Sequence, residues 1–160
     1  MFKNQVMESL LNNLSKEKTT SGVISKLLEL FWPEFIEWDE CVLLSICNNV
    51  NELPQKFVPN SIIIDRTQYE ATNNHIHIVD FIPELENYPI ETLLLSLKLL
   101  EVWGMKLKSR FPMDKFHLVI SYDEFGSVIR FYKVRSNETP WLEIEKLDDF
   151  KEEAILVEEI

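Results

Sequence analysis

The sequence has few of the residues that build common catalytic loops. Its three glycines, Gly22, Gly104 and Gly126, are too far apart for a phosphate-binding loop, a dinucleotide fingerprint or a GxSxG nucleophile elbow. Its two cysteines, Cys41 and Cys47, fit neither a CxxC redox pair nor a zinc site with a second cysteine pair. We therefore expect two reduced, structural thiols and no cofactor held by a glycine-rich loop.

Basic residues and long apolar runs are also scarce. The chain contains 16 Lys and Arg and 27 Asp and Glu, which gives a formal charge of −11. This charge disfavours binding to nucleic acid or to an anionic membrane. The longest apolar-rich stretch, residues 90–107, contains four charges, too many for a membrane span. The start of the chain, residues 1–5, does not resemble a secretory signal. These features predict a cytoplasmic protein with no membrane contact.

Hydrophobic residues are abundant enough for a substantial core. They make up 46% of the 160 residues and include 10 Phe, 4 Tyr and 4 Trp. No internal repeat or Gly/Ser-rich linker divides the chain. Residues 1–160 are therefore expected to form a single domain.

Helical periodicity is clearest in four segments. Residues 2–14 carry an apolar stripe at i, i+4 spacing, and residues 23–31 carry another, with Ser21 as a possible N-cap and Pro33 as its end. Asp65 and Gln68 have capping-box spacing for a helix that starts near Arg66. The longest helix is expected at residues 90–110, directly after Pro89, as a central helix buried on most of its circumference.

Strand patterns occur mainly in the second half. Residues 116–122 and 129–131 alternate across the segment 123–126, which predicts a β-hairpin. Short apolar runs predict further structure in three places. Residues 41–47 are expected to form a strand, with a helix as the alternative; residues 61–64 a buried strand or another core segment; and residues 154–157 a last strand. The fold class predicted is α+β: a two-layer domain with N-terminal helices and a long central helix packed on a mainly antiparallel sheet.

One histidine pair offers a candidate for metal chemistry. On a strand, His75 and His77 would share a face while Asp80 pointed the other way; on a helix, only His77 and Asp80 would be neighbours. Neither geometry supplies two histidines and a carboxylate locally, so a third ligand such as His117 would have to come from elsewhere. No metal is therefore predicted, and a small metal-dependent hydrolase using His75, His77 and Asp80 stays an alternative.

The distribution of charge is more informative than any motif. Residues 98–135 carry 8 basic and 4 acidic side chains, whereas residues 136–160 carry 2 and 9. Such acids can form a solvated face that only keeps a protein soluble, or a surface that steers a basic protein into contact. On the second reading, the partner-binding candidates combine acids with one aromatic anchor: Glu34, Glu37, Trp38, Asp39, Glu40, Asp148, Asp149, Glu152 and Glu153.

A basic strand does not change this interpretation. Arg130, Lys133 and Arg135 lie near Phe131 and Tyr132, but the aromatic and basic side chains alternate and so give no clean stacking face for bases. Salt bridges to neighbouring acids explain the same cations. No nucleic acid is predicted as a partner.

Four segments carry a resemblance to known proteins: residues 74–81, 103–112, 130–132 and 138–141. In these segments, and in size and acidity, the chain resembles small acidic bacterial proteins that are similar to the immunity proteins of polymorphic-toxin and contact-dependent inhibition systems. The resemblance implies a cytosolic protein that neutralises a toxin domain, often a basic nuclease. It also favours a helix near His75.

The function predicted from these observations is a non-enzymatic, cytoplasmic protein-binding module, an immunity or inhibitor protein that neutralises a basic toxin domain. The metal-dependent hydrolase is one alternative. A structural subunit is the other, because exposed aromatic and acidic surfaces also allow self-assembly.

Overall fold

The computed structural model describes Met7 and residues 22–160, so the helix predicted at residues 2–14 and the cap at Ser21 lie outside the described residues. The first described helix, α1, is Gly22–Phe31, as predicted from its apolar spacing. Leu30 is fully buried, and its carbonyl oxygen accepts a 2.8 Å hydrogen bond from the indole nitrogen of Trp103. This bond fixes the end of α1 against the longest helix.

A small β-hairpin follows α1. Its strands, β1 (Phe35–Trp38) and β2 (Cys41–Leu44), are antiparallel, and the strand predicted at residues 41–47 is therefore shorter than expected. The turn residues Asp39 and Glu40 both have positive φ angles, 45° and 69°, as in type I′ turns. This turn contains no glycine or asparagine, the residues that usually mark a tight hairpin turn. The sequence therefore does not predict β1.

The second helix, α2 (Arg66–Asn73), begins as the capping box predicts. A side-chain oxygen of Asp65 accepts a 2.7 Å hydrogen bond from the backbone nitrogen of Gln68. The strand or core segment predicted at residues 61–64 is wrong, because the segment forms no strand and Ile62 and Ile64 are 83% and 60% exposed. The amide oxygen of Asn60 accepts hydrogen bonds from the backbone nitrogens of Ile62 and Ile63, at 2.8 and 2.9 Å, so these residues form a side-chain-supported turn instead.

The segment at the histidine pair is a strand, not a continuation of α2. Strand β3 (His75–His77) pairs antiparallel with the fifth strand, and the short helix α3 (Ile78–Phe81) follows it. The helix that the resemblance favoured near His75 is therefore wrong. Helix α2 ends where the buried side-chain amide of Asn74 turns towards the backbones of two strands. Its oxygen accepts a hydrogen bond from the backbone nitrogen of Leu44, and its nitrogen donates to the carbonyl oxygens of Val42 and Phe131.

The long helix α4 is Pro89–Arg110, with Pro89 in its first turn as predicted. Its buried residues form one stripe from Thr92 to Leu107. The expectation of burial on most of the circumference is confirmed, because the exposed positions, among them Leu94 and Met105 at 60% and 63%, form one narrow stripe along the helix. The helix thus covers one face of the sheet and faces solvent along that stripe.

The main sheet contains three further strands in order of sequence: β4 (Phe116–Asp123), β5 (Gly126–Lys133) and β6 (Ala154–Glu159). Its strand order is β3-β5-β4-β6, with every pair antiparallel, so both the predicted hairpin and the predicted last strand are confirmed. Short 3₁₀ helices lie in the connections, at Val50–Glu52, Pro83–Leu85 and Ile144–Asp149.

Alternation along the strands gives the sheet two different faces. Phe116, Leu118 and Phe131 face α4 in the main core, where the rings of Phe116 and Phe131 lie 6.2 Å apart, edge to face. The other face carries Val119 and Tyr132 and is covered by α2 and the segment around the 3₁₀ helix Ile144–Asp149. The architecture is the α+β fold that the sequence predicts, with the long helix packed on an antiparallel sheet. No helix in the described part of the chain is both long and apolar enough to cross a membrane.

Candidate interaction site

The predicted acids in and beside the small hairpin differ in their contacts within the protein. Glu34 forms ion pairs with Lys106 and Arg110 near the end of α4, at 3.0 and 3.5 Å. The side chain of Glu40 is 79% exposed and lies 4.0 Å from Arg66, and Glu37 is also exposed. The side chain of Glu34 is itself 68% exposed, so all three carboxylates reach solvent.

Trp38 and Asp39 hold the loop that follows the hairpin. The indole nitrogen of Trp38 donates a 2.7 Å hydrogen bond to the carbonyl oxygen of Pro54. One Asp39 oxygen accepts hydrogen bonds of 2.8 Å from the backbone nitrogen of Phe57 and from the guanidinium of Arg66. These two donors hold the pKa of Asp39 below its ordinary value. The structure gives both predicted partner-binding residues a role in stabilising this loop.

The acids of the C-terminal segment come together with another from the main hairpin. Asp149, Glu152 and Glu153 line an open depression of about 580 Å³ with Asp123. The pairing of β4 with β6 explains the meeting, because Tyr122 lies opposite Ala154 and the next residues along the two strands are Asp123 and Glu153. We call the surface around these four carboxylates the acidic groove.

Aromatic side chains stand along the acidic groove. Phe150 lines the depression and is 44% exposed. Phe125 is 76% exposed at the turn of the main hairpin, where an oxygen of Asp123 accepts a 2.8 Å hydrogen bond from its backbone nitrogen. A cavity of about 190 Å³ beside Phe125 shares Asp123 and Glu153 with the depression. The depression and the cavity are thus adjacent, and each has one phenylalanine beside the carboxylates of Asp123 and Glu153.

The groove contains one basic residue besides its four acids. Lys151 lines the depression, and its ammonium donates a hydrogen bond to the backbone carbonyl oxygen of Asp148. Asp148 itself is exposed but does not line the depression. The local charge of the groove therefore stays negative.

The two predicted acidic sets lie at opposite ends of the main sheet. The turn of the small hairpin reaches the end of β5, where Arg135 donates a 2.8 Å hydrogen bond to the carbonyl oxygen of Glu40. The acidic groove lies at the other end, beside Gly126, where β5 begins. At the usual rise of a strand, the two ends of β5 are about 23 Å apart. The hairpin acids and the groove acids are therefore separate surfaces.

The cations of the basic strand are engaged by neighbouring residues, two of them in ion pairs. Lys133 pairs with Asp114 at 2.7 Å, and Arg135 pairs with the buried Glu70 at 2.8 Å. The guanidinium of Arg130 lies 4.2 Å above the ring of Trp141. Burial lowers the pKa of Arg130 from its ordinary value, and the charge of Glu153 opposes that shift. The three residues do not form a free basic surface.

The histidine pair has no complete set of metal ligands around it. The rings of His75 and His77 lie 5.6 Å apart, and a ring nitrogen of His75 lies 2.7 Å from the carbonyl oxygen of Thr72. His117 bonds the hydroxyl of Tyr132 on another part of the sheet. Among Met7 and residues 22–160, no group of three or more His, Cys, Asp or Glu side chains could hold a metal ion. The hydrolase alternative therefore lacks a ligand set in these residues.

The two thiols are placed differently. Cys41 is buried on β2, and burial raises the pKa of its thiol to about 12. Cys47 is exposed, and its sulfur lies 3.5 Å from the carbonyl oxygen of His75. Both cysteines are free, and the Cys41 thiol stays protonated near neutral pH.

Sequence reasoning missed Asp123, Phe125 and Phe150 as members of the site. Phe125 carried a local signal, because a phenylalanine in a tight turn has little chance of burial. Asp123 carried none, since it joins the groove only through the pairing of β4 with β6. Phe150 lies among acids that were predicted, and its exposure depends on how the segment packs.

The fold and this surface define an α+β protein with an acidic groove at one end of an antiparallel sheet. Residues 2–160 match the Uncharacterized protein PM0498 family, and the chain belongs to that family. No curated protein and no solved structure matches the chain.

Proposed function

We propose that this protein is a protein-binding module that takes a basic protein partner at the acidic groove. The observation that carries the proposal is the meeting of Asp123, Asp149, Glu152 and Glu153 around one depression, with Phe150 exposed in its wall. Acids grouped in this way concentrate the negative potential at one end of the sheet.

The chemistry of the groove suits recognition in two stages. Negative potential accelerates the encounter with a basic partner and disfavours acidic ones, an effect that salt screens. Phe125 and Phe150 then supply apolar area that becomes buried on contact. Buried aromatic anchors at the centre of an interface, surrounded by polar contacts, commonly carry most of the affinity.

Within this class, we propose an immunity or inhibitor protein that neutralises a basic toxin domain. The formal charge of −11 supports a basic partner, and the resemblance in the sequence points to this class of protein. The complex would block the toxin by covering its basic surface with the acidic groove.

The proposal is tested by affinity capture from a lysate of the native source at low salt, with mass spectrometry of the bound proteins. The wild type is compared with a groove variant, Asp149→Lys with Glu152→Lys. The control variant, Glu29→Lys with Glu37→Lys, makes the same change in net charge at exposed positions on α1 and β1. Because both variants alter the net charge equally, a difference between them reports the location of the contact.

We expect one basic protein at near-equal stoichiometry from the wild type and from the control variant, and none from the groove variant. Raising the ionic strength should lower the association rate of that complex, because the Debye length shortens. Loss of capture in the control variant alone would place the contact on α1 or the small hairpin and contradict the groove. An association rate independent of salt would contradict electrostatic steering.

A further inference from the structure

Strand β6 forms one outer edge of the main sheet. It pairs with β4 and, in the described part of the chain, with no other strand. Phe116 and Ile160 exchange two backbone hydrogen bonds, of 3.2 and 3.0 Å. Because hydrogen-bonded and non-hydrogen-bonded pairs alternate in antiparallel sheets, this pair sets the direction of every backbone group along β6.

The alternation divides β6 into inward and outward residues. Ala154, Leu156 and Glu158 direct their backbone groups to β4, whereas Ile155, Val157 and Glu159 direct theirs away from the sheet. Each outward residue carries one N–H and one C=O. Those six groups have no hydrogen-bond partner in the described residues. An open edge of this length is a template for one more strand.

The side chains around this edge select the strand that can pair with it. Two glutamates, Glu152 and Glu153, precede β6, and two more, Glu158 and Glu159, end it. Leu156, in the middle, is 40% exposed. Neither proline nor lysine interrupts the strand. The edge is apolar at its centre and acidic at both ends.

We propose that an extended segment of the basic partner adds to the sheet along β6, with apolar residues at its centre and Lys or Arg at both ends. The inference rests on the proposed function and identifies how the partner is held. Main-chain hydrogen bonds would supply affinity, and the glutamates would supply specificity for the basic ends. Glu159 already lies 3.3 Å from Lys115, so Glu158 would supply most of the attraction at that end. The acidic groove lies beside the start of β6, since Glu153 belongs to both surfaces.

A second copy of this chain is a poor occupant of the same edge. Each copy carries a formal charge of −11, and pairing β6 with itself would bring the glutamates of both copies to one edge. Like charges that face each other across paired strands are destabilising. The same glutamates that attract a basic strand therefore oppose self-association.

The test uses a synthetic peptide, Arg-Arg-Val-Thr-Val-Thr-Val-Thr-Arg-Arg, and the full chain. Amide hydrogen exchange is followed residue by residue by NMR. With the peptide at ten times its dissociation constant, the amides of Ile155, Val157 and Glu159 should exchange about tenfold more slowly, because only the free fraction exposes them. The inward amides of Leu156 and Glu158 already have partners in β4 and should change much less.

A backbone variant separates strand pairing from charge attraction. Val157→Pro removes one outward N–H and leaves the inward ladder to β4, whereas the control Val157→Thr keeps the N–H and the branched shape. We expect the proline variant to bind the peptide at least tenfold more weakly and the threonine variant to bind nearly as the wild type. A peptide with N-methyl groups on alternate residues makes the same test on unaltered protein, and it should also fail to bind.

The outcomes distinguish this inference from the proposed function. Equal binding of the plain and methylated peptides, lost in the Asp149→Lys with Glu152→Lys variant, would overturn strand pairing and leave the groove as the binding surface. No binding of the plain peptide at low salt would also overturn strand pairing, while capture of a basic partner would still support the function. A dimer in sedimentation that Val157→Pro abolishes would give the edge to a second copy and overturn the inference.

Discussion

The two carboxylate oxygens of Glu70 accept hydrogen bonds from the two terminal guanidinium nitrogens of Arg135, at 2.8 and 2.9 Å. Glu70 is fully buried, and the side chain of Arg135 is 9% exposed. The same oxygens accept the backbone nitrogens of Val42 and Lys133, both at 2.7 Å. One carboxylate on α2 thus joins β2 to β5 and brings together the two sheets.

Removing the cation from this pair should be costly. Arg135→Met leaves the carboxylate of Glu70 buried without its counter-charge, and we expect a loss of about 3 to 5 kcal/mol in the free energy of unfolding. Adding Glu70→Gln removes the uncompensated charge and should recover part of that loss. Urea denaturation of the wild type, the two single variants and the double variant gives the coupling energy.

The control for this cycle is an exposed ion pair. Lys98 and Glu101 lie 2.9 Å apart on the solvent side of α4, with side chains 69% and 58% exposed. The cycle with Lys98→Met and Glu101→Gln should give a coupling of about 0.5 kcal/mol or less. Equal coupling energies for the two pairs would contradict the structural role assigned to Glu70 and Arg135.

Two glycines should respond to alanine with opposite signs. A Cβ on Gly104, within α4, would lie 3.7 Å from the nearest atom of Ile160, an ordinary contact. Gly104→Ala should therefore stabilise the protein by up to about 1 kcal/mol through helix propensity. Gly126 has a φ of +117°, and its Cβ would lie 3.1 Å from the hydroxyl of Thr92. Gly126→Ala should cost about 1 to 3 kcal/mol.

Calorimetric melting temperatures of the two variants check this prediction. For a chain of this size, 1 kcal/mol corresponds to about 2 to 4 °C. The Gly104→Ala result also tests whether the long helix needs a glycine where it packs against Ile160. A lower melting temperature for that variant would mean that the contact with Ile160 is tighter than 3.7 Å.

The fold was predictable where local pattern and tertiary packing agree. Helix α4 has a long apolar stripe after Pro89, and the main hairpin alternates strictly, so both follow from the sequence. Strand β3 does not. It exists because the buried Asn74 ends α2 by bonding the backbones of β2 and β5, partners that are distant in the sequence. Residues 61–64 form no strand for a related reason: the side-chain oxygen of Asn60 accepts hydrogen bonds from two backbone N–H groups that a strand would need.

The candidate site was predictable only in part. Asp149, Glu152 and Glu153 lie within five residues of one another, so their proximity follows from the chain itself. Asp123 reaches them through strand pairing, which no local spacing encodes. On the small hairpin, Asp39 is an acid beside an aromatic residue, as expected at a binding surface. Its ion pair with Arg66 instead stabilises the fold. Composition alone cannot separate those two uses of an acid.

The tight turn of the small hairpin offers a stabilising change. Glu40 has a φ of 69°, in the left-handed region that favours glycine. Glu40→Gly should raise the free energy of unfolding by about 0.5 to 1 kcal/mol. The strain energy that glycine removes from the folded state is larger than the conformational entropy that it adds to the unfolded chain. Glu40→Ala is the matched control, since it removes the charge and keeps the strain. If both variants were equally stabilised in urea denaturation, charge rather than backbone conformation would be the cause.

Glu138 makes the stability of the folded protein depend on pH. Its side chain is 11% exposed, and one oxygen accepts the hydroxyl and the backbone nitrogen of Thr67, at 2.7 and 2.8 Å. Partial burial favours the protonated form, but these hydrogen bonds and the charge of Arg135 prevail and hold the pKa of Glu138 below its ordinary value. Between the folded and unfolded pKa values, the unfolded state binds more protons, so stability falls as the pH falls.

Glu138→Gln should lower the free energy of unfolding by about 1 to 2 kcal/mol at pH 7, where the native carboxylate is charged. That difference should stay constant down to about pH 5. It should then shrink as the pH falls below the ordinary glutamate pKa of about 4.3 and vanish below the folded pKa, where the wild type is also protonated. Urea denaturation at several pH values between 7 and 3 checks the course, with Glu145→Gln, at an exposed position, as the control. A difference that stayed constant to pH 3 would show that the shape of the glutamine, not the loss of charge, weakens the contact with Thr67.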